Sequence, residues 1–173
     1  MMKVKKIGII GGLTMAVSTI IVSANYEKFL SAEDWQKRLS ESAWDGNIRL
    51  MERAIAHGAD VNKFCCGRTP LLNSAAGKGH FQAVQFLTSR GANINGGDKF
   101  NATPLMEASR VGHIEIVKLL LQHGADPNTV EYMNGSSVLD WADDDPEIIK
   151  LLKEHGAVIG HPGIWERLTG KHK

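Results

Sequence analysis

Residues Thr103–Asn128 read TPLMEASRVGHIEIVKLLLQHGADPN, and this stretch decides the fold. Thr103 before Pro104 reads as a helix N-cap followed by a proline in the first turn. A short helix of small residues then runs to Gly112-His113. The segment from Ile114 to Leu121 is almost wholly apolar and predicts a second helix. Gly124 reads as its stop, in the left-handed conformation that glycine adopts without strain. The stretch therefore predicts two short antiparallel helices and a turn.

The pattern returns on both sides. HGADVN begins at His57, RGANIN at Arg90, HGADPN at His123 and HGAVIG at His155. The Gly-Ala pairs fall at 58, 91, 124 and 156, at intervals of 33, 33 and 32 residues. GRTPLLNSAAGKGH from Gly67 matches NATPLMEASRVGH from Asn101, and GSSVLDWA from Gly135 is a degenerate copy. Thr69-Pro70 repeats the helix start; Gly58, Gly91 and Gly156 repeat the stop. The second copy carries one extra residue between Leu72 and Gly77, so a bulge or a longer inter-helix loop is expected there. The second helices line up as apolar columns: Met51, Val84, Val117 and Ile149, and Ala54, Leu87, Leu120 and Leu152. One helix pair cannot bury both its faces, so stacking of neighbours at roughly 8–10 Å is required to make a continuous core.

These combined motifs resemble the ankyrin repeat, over about residues 38 to 159. The resemblance implies an all-α solenoid of about four helix-turn-helix repeats with short inter-repeat turns, placed at 38–160. The first and last copies read as caps. EDWQKRLSESAWDGN lacks the Thr-Pro-Leu start. DDDPE shortens the last link by two residues, with Asp145 as N-cap and Pro146 in the first turn. The remainder divides into residues 1–24, a lead-in at 25–37 and a tail at 161–173. In the tail, Ile164, Trp165 and Leu168 predict a short amphipathic turn over the end of the stack.

Residues 1–24 have the three-part form of a secretory signal peptide. Lys3, Lys5 and Lys6 precede 18 residues without a charge, and Val22-Ser23-Ala24 offers small residues for cleavage. The alternative is a membrane anchor at 7–24, but 18 helical residues span only about 27 Å, marginal for a bilayer core. Cleavage changes the formal charge from +1 to −2. A periplasmic or secreted, bacterial-type protein with no membrane association after cleavage is the expectation. The near-neutral balance gives no basic field for nucleic acid.

The chemistry-bearing residues form no catalytic constellation. There is no Gly-x-Ser-x-Gly elbow and no phosphate loop. His57, His123 and His155 recur at one repeat position, and His80 and His113 at another. Equivalent residues of stacked repeats stand roughly 8–10 Å apart, too far to share a zinc ion bound at about 2 Å. Helix capping or linking is the expected role. Cys65 and Cys66 fall in the turn between the first two repeats. Free thiols, a strained vicinal disulfide and a bond to a partner all remain open. No cofactor, metal or enzyme activity is expected.

The resemblance implies binding of a protein partner on a concave face built from turn tips and first helices, by a monomer. The turns KFCCGR, GGDKFNA and TVEYMNG offer Phe64, Arg68, Lys99, Phe100, Glu131, Tyr132 and Met133. Trp44 and Arg110, on first helices, extend the face; Trp141 either joins them or packs in the core. Asp98 matches the family's turn aspartate, which braces the turn. Two roles for such a module are an inhibitor or immunity protein and an accessory factor for a periplasmic enzyme such as catalase, linked to haem or oxidative stress.

Overall fold

The computed structural model describes residues 27, 30–64, 69–133, 135–142 and 145–158. The chain divides into two compact units, Met1–Ser31 and Ala32–Lys173. In the first, the Leu30 amide donates to Glu27 O at 3.2 Å. The proposed leader at 1–24 and the tail at 161–173 lie outside the described residues.

The second unit is built of helix pairs: α1 Ala32–Asp45 with α2 Ile48–Ala56, α3 Leu71–Gly77 with α4 Phe81–Ser89, α5 Pro104–Val111 with α6 Ile114–Gln122, and α7 Val138–Trp141 with α8 Pro146–Glu154. First helices pack on first helices, and second helices on second helices, along the chain order. The described residues contain no strand; Val130 and Ser137 form an isolated bridge. Helix α1 begins at Ala32, within the segment expected to be lead-in.

The caps follow the sequence signals at the first helix of the third pair and the second helix of the fourth. Thr103 accepts from the Met106 amide, and Asp145 accepts from the Glu147 and Ile148 amides. Ser137 and Asp140 form a reciprocal capping box at the short α7. Gly58, Gly91, Gly124 and Gly156 all have positive φ.

The second repeat differs. Pro70, not Thr69, is the N-cap of α3, and no side chain caps the helix. Pro70 follows Gly58 by twelve residues, as Thr103 follows Gly91 by twelve. Matching hydrogen bonds fix the register: His80 N to Ala75 O, and His113 N to Ala108 O. The two repeats are therefore in step throughout. The expected bulge between Leu72 and Gly77 is absent; the Thr-Pro pair has slid one place toward the N-terminus. Asn73 in consequence occupies the place of Met106, and Gly77 that of Arg110.

The core lies between successive helices. Met51, Val84 and Val117 are fully buried, as are Ala54, Leu87, Leu120 and Leu152. Ile149 breaks the expected column. It is only part-buried, in an open apolar hollow with Pro146, Lys150, Lys153 and Glu154, and Ile148 is the fully buried residue instead. The last second helix has no described neighbour on that side to cover Ile149.

Side-chain amides set the spacing between repeats. Asn62 Nδ2 donates to Gly91 O at 3.0 Å while its Oδ1 accepts from the Asn93 amide at 2.8 Å. Asn95 does the same to Gly124 and Asp126, and Asn128 to Gly156 and Val158. Each of these asparagines is oriented by the acidic or amide residue two places earlier, since Asp60, Asn93 and Asp126 accept from their amides. Gln36 supplies the corresponding link from α1 to the first turn, bonding Asp60 through both ends of its amide. A second row runs nearer the first helices: Asn73 donates to Ala102 O, and Asn101 to Val130 O.

The histidines serve the stack in two ways. The rings of His80 and His113 lie against Gly46 and Gly79, where a Cβ would come within 2.8 Å and 2.6 Å of them. His80 Nε2 also donates to Trp44 O at 2.9 Å, a carbonyl being able only to accept. His123 and His155 donate from Nδ1 to the carbonyls of Leu119 and Leu151, closing the last helical turn. His57 stacks on Trp35 at 4.1 Å. On the outer side, Lys118 bridges Glu115 at 3.0 Å and Glu147 at 3.7 Å, tying α6 to α8. The hydrogen bond to Glu115 raises the Lys118 pKa above the usual lysine value.

Two stability predictions follow from burial and from the amide links. Leu120→Ala removes a fully buried side chain and should cost about 2–5 kcal/mol, read from denaturant midpoints at constant slope. Asn62→Ala removes two exposed hydrogen bonds and should cost only about 1 kcal/mol. Hydrogen exchange should show the loss locally, with the Asn93 amide exchanging about five-fold faster while α6 amides keep their protection.

Candidate protein-binding surface

The turns and the first helices supply the exposed, chemically distinctive side chains of the second unit. Phe64, Phe100, Tyr132 and Met133 are all exposed, Tyr132 and Met133 the most, at 74% and 72%. They stand in consecutive turns. For Phe100, Tyr132 and Met133 the exposure has a backbone cause, because their turns satisfy polar groups internally. Asp98 Oδ1 accepts from the Phe100 and Ala102 amides at 2.8 and 2.9 Å, which bends the turn and leaves Phe100 outside. Asn101, at positive φ, completes that bend. The Tyr132 amide donates to Phe100 O at 2.8 Å, so the second and third turns are joined edge to edge. Lys99 rests over the Phe100 ring at 4.6 Å.

Glu131 corrects the sequence-based assignment. It was expected on the exposed face, but it is 5% exposed, and its Oε1 accepts from the Met133 amide at 2.8 Å. It braces its turn as Asp98 braces the one before. A longer acidic side chain at the equivalent place reaches the same i+2 amide, and that function draws it inward. Arg68, Cys65 and Cys66 lie outside the described residues.

Trp44 and Arg110 are brought together with residues that the motif reading did not single out. They line one cavity of about 300 Å³ with Asn73, Gly77, Lys78, Asp98 and Glu107. The exposed Trp44 ring carries the Lys78 ammonium at 3.8 Å, and Arg110 Nη2 donates to Glu107 Oε2 at 2.8 Å. Asn73 is 2% exposed; its Nδ2 donates to Ala102 O at 2.6 Å, and its Oδ1 has no hydrogen-bond partner. A buried acceptor without a donor costs on the order of 1–3 kcal/mol. Met106, the counterpart of Asn73 one repeat later, is fully buried and leaves no such atom. The signal that could have found Asn73 was the one-residue slide of Thr69-Pro70, read backward from His80 rather than forward from Thr69. Trp141 is part-exposed on α7, and the cavity does not include it.

Among the described residues, no group of three His, Cys, Asp or Glu side chains is placed to hold a metal ion. No helix among them is long and apolar enough to cross a membrane.

No curated protein matches the chain. A family model described as ankyrin repeats, in three copies, matches residues 39–131, more than half of the 173 residues. It spans α1 to α6 apart from the start of α1, and ends at the brace residue Glu131; the pair α7–α8 continues the same stacking beyond it. Repeated helix pairs, left-handed glycine stops and this match agree, and the chain belongs to the ankyrin-repeat family.

Proposed function

We propose that the chain is an exported, non-enzymatic module that holds a protein partner on its turns and first helices, acting as an inhibitor or immunity protein. Ankyrin repeats generally mediate protein–protein interaction, which supports the binding role. The observation that carries the reading is the row of exposed large side chains, Phe64, Phe100, Tyr132 and Met133, set on successive turns. Large aromatic side chains supply most of the affinity in protein interfaces, because they bury much area and freeze few torsions. The turns that carry Phe100 and Tyr132 are hydrogen-bonded within themselves and to each other, so little ordering of them is left to be done on binding. A preorganised row suits the tight capture that inhibition requires. The lysine-led, uncharged stretch within residues 1–24 supports export.

Two experiments test this. Co-purification from the exported fraction should yield a stoichiometric protein partner with the wild-type chain. The triple variant Phe64→Ala/Phe100→Ala/Tyr132→Ala should weaken capture by at least about 30-fold, with helical circular dichroism unchanged. Equal capture by the variant would reject this surface. Intact mass of the exported protein should place its N-terminus at Asn25; protein found only in the cytosol with residues 1–24 attached would reject export.

A further inference from the structure

The hollow over Ile149 stands at a place whose use the preceding repeat displays. Helices α6 and α8 are both nine residues long and start 32 residues apart. Pro146, Ile149, Lys150 and Lys153 therefore occupy the places of Ile114, Val117, Lys118 and Leu121. In the third repeat this is the face turned toward α8. Val117 is fully buried there, Leu121 is 7% exposed, and Lys118 meets the Glu147 carboxylate of α8 at 3.7 Å. An apolar strip with a lysine at its edge is thus covered by an element that brings an acid.

The same face of α8 has no such cover among the described residues. Ile148, turned back toward α6, is fully buried, while Ile149 is part-buried in an open hollow of about 610 Å³. Lys150, the counterpart of Lys118, pairs with Glu154 of its own helix at 4.0 Å. Lys153 in the place of Leu121 narrows the apolar strip, which suits one large apolar side chain beside an acid rather than another whole helix. The linking asparagines stop here as well. Asn62, Asn95 and Asn128 stand four places after Gly58, Gly91 and Gly124, and the residue four places after Gly156 is Gly160.

Residues 159–173 lie outside the described residues, and their sequence meets the requirement. Trp165 directly precedes Glu166, the single acid of that segment, and Pro162-Gly163 just ahead is a turn pair. The starting point is tethered at the end of α8, where the Ala157 amide donates to Leu152 O and the Val158 amide to Asn128 Oδ1. Ile149 lies five residues back from Glu154, about 7.5 Å along the helix. The seven residues from Val158 to Trp165 can reach roughly 23 Å, enough for a reversal.

We propose that residues 162–168 fold back on α8, with the Trp165 ring on Pro146 and Ile149 and the Glu166 carboxylate on Lys150, as Glu147 sits on Lys118. The chain then closes the end of its own stack, as terminal repeats of such arrays must. The hollow is taken from within, and the turn row is left as the face open to a partner.

The test is NMR on the full chain with 13C-labelled isoleucine methyl groups. The Ile149 methyl should show a cross-peak to the Trp165 ring. Trp165→Ala should abolish it and lower the melting midpoint by at least about 4 °C, with helical circular dichroism unchanged. Glu166→Lys should weaken the cross-peak, and Lys150→Glu combined with Glu166→Lys should restore it. Absence of the cross-peak in the wild-type chain, contacts of Trp165 with Tyr132 or Met133 instead, or an unchanged midpoint in Trp165→Ala would overturn the proposal. So would a cross-peak that arises between labelled and unlabelled copies, which would assign the hollow to a second copy. No partner is needed, so failure of partner capture and failure of this closure are separate results.

Discussion

The side-chain amides of Asn62, Asn95 and Asn128 hold one repeat to the next, and the use of the surface depends on them. Apolar burial along Met51, Val84, Val117 and along Ala54, Leu87, Leu120, Leu152 supplies the larger share of the energy. Burial alone is non-directional and would tolerate sliding of one helix pair over the next. Each amide, by contrast, accepts from one backbone N–H and donates to one carbonyl of the following repeat, which fixes position. The rings of His80 and His113, seated on glycines that leave no room for a Cβ, fix it from the helix side. The turns of Phe100 and Tyr132, joined backbone to backbone, inherit this order.

Much of this was legible in the residues. The 33-residue recurrence of Gly-Ala gave the number and spacing of the helix pairs, because the left-handed stop has few alternatives to glycine. The Thr103-Pro104 and Asp145-Pro146 starts were right for the same reason: capping is local chemistry. Ile149 was not legible. Its identity matches the column above it, yet among the described residues nothing covers its outer side, and it is part-exposed. Glu131 was also misread. Whether an acidic side chain in a turn points outward or reaches back to an amide two places on is decided by the turn's geometry, which no spacing rule contains.

The second repeat shows how a strong motif can mislead. Thr-Pro is usually the best marker of a first helix, and alignment on it demanded an extra residue downstream. The backbone instead keeps the twelve-residue distance from Gly58 and puts Pro70 at the cap. Tertiary stacking overrides the local preference for a hydroxyl cap, a preference worth about 1 kcal/mol. The result of that slide is a polar residue in an apolar column and a gap on the surface above it, both produced by two residues of α3, Asn73 and Gly77, rather than by any change in fold.

The amide links also divide each repeat into parts that evolve under different rules. Segments bearing the linking asparagines and their Gly-Ala targets cannot change length without breaking the pitch of the array. The stretch between them and the next first helix is free to vary in content, as the displaced Thr69-Pro70 demonstrates, provided the count is kept. Recognition residues sit in that permissive stretch. New specificities can therefore arise by substitution in the turns while the scaffold's periodicity stays untouched.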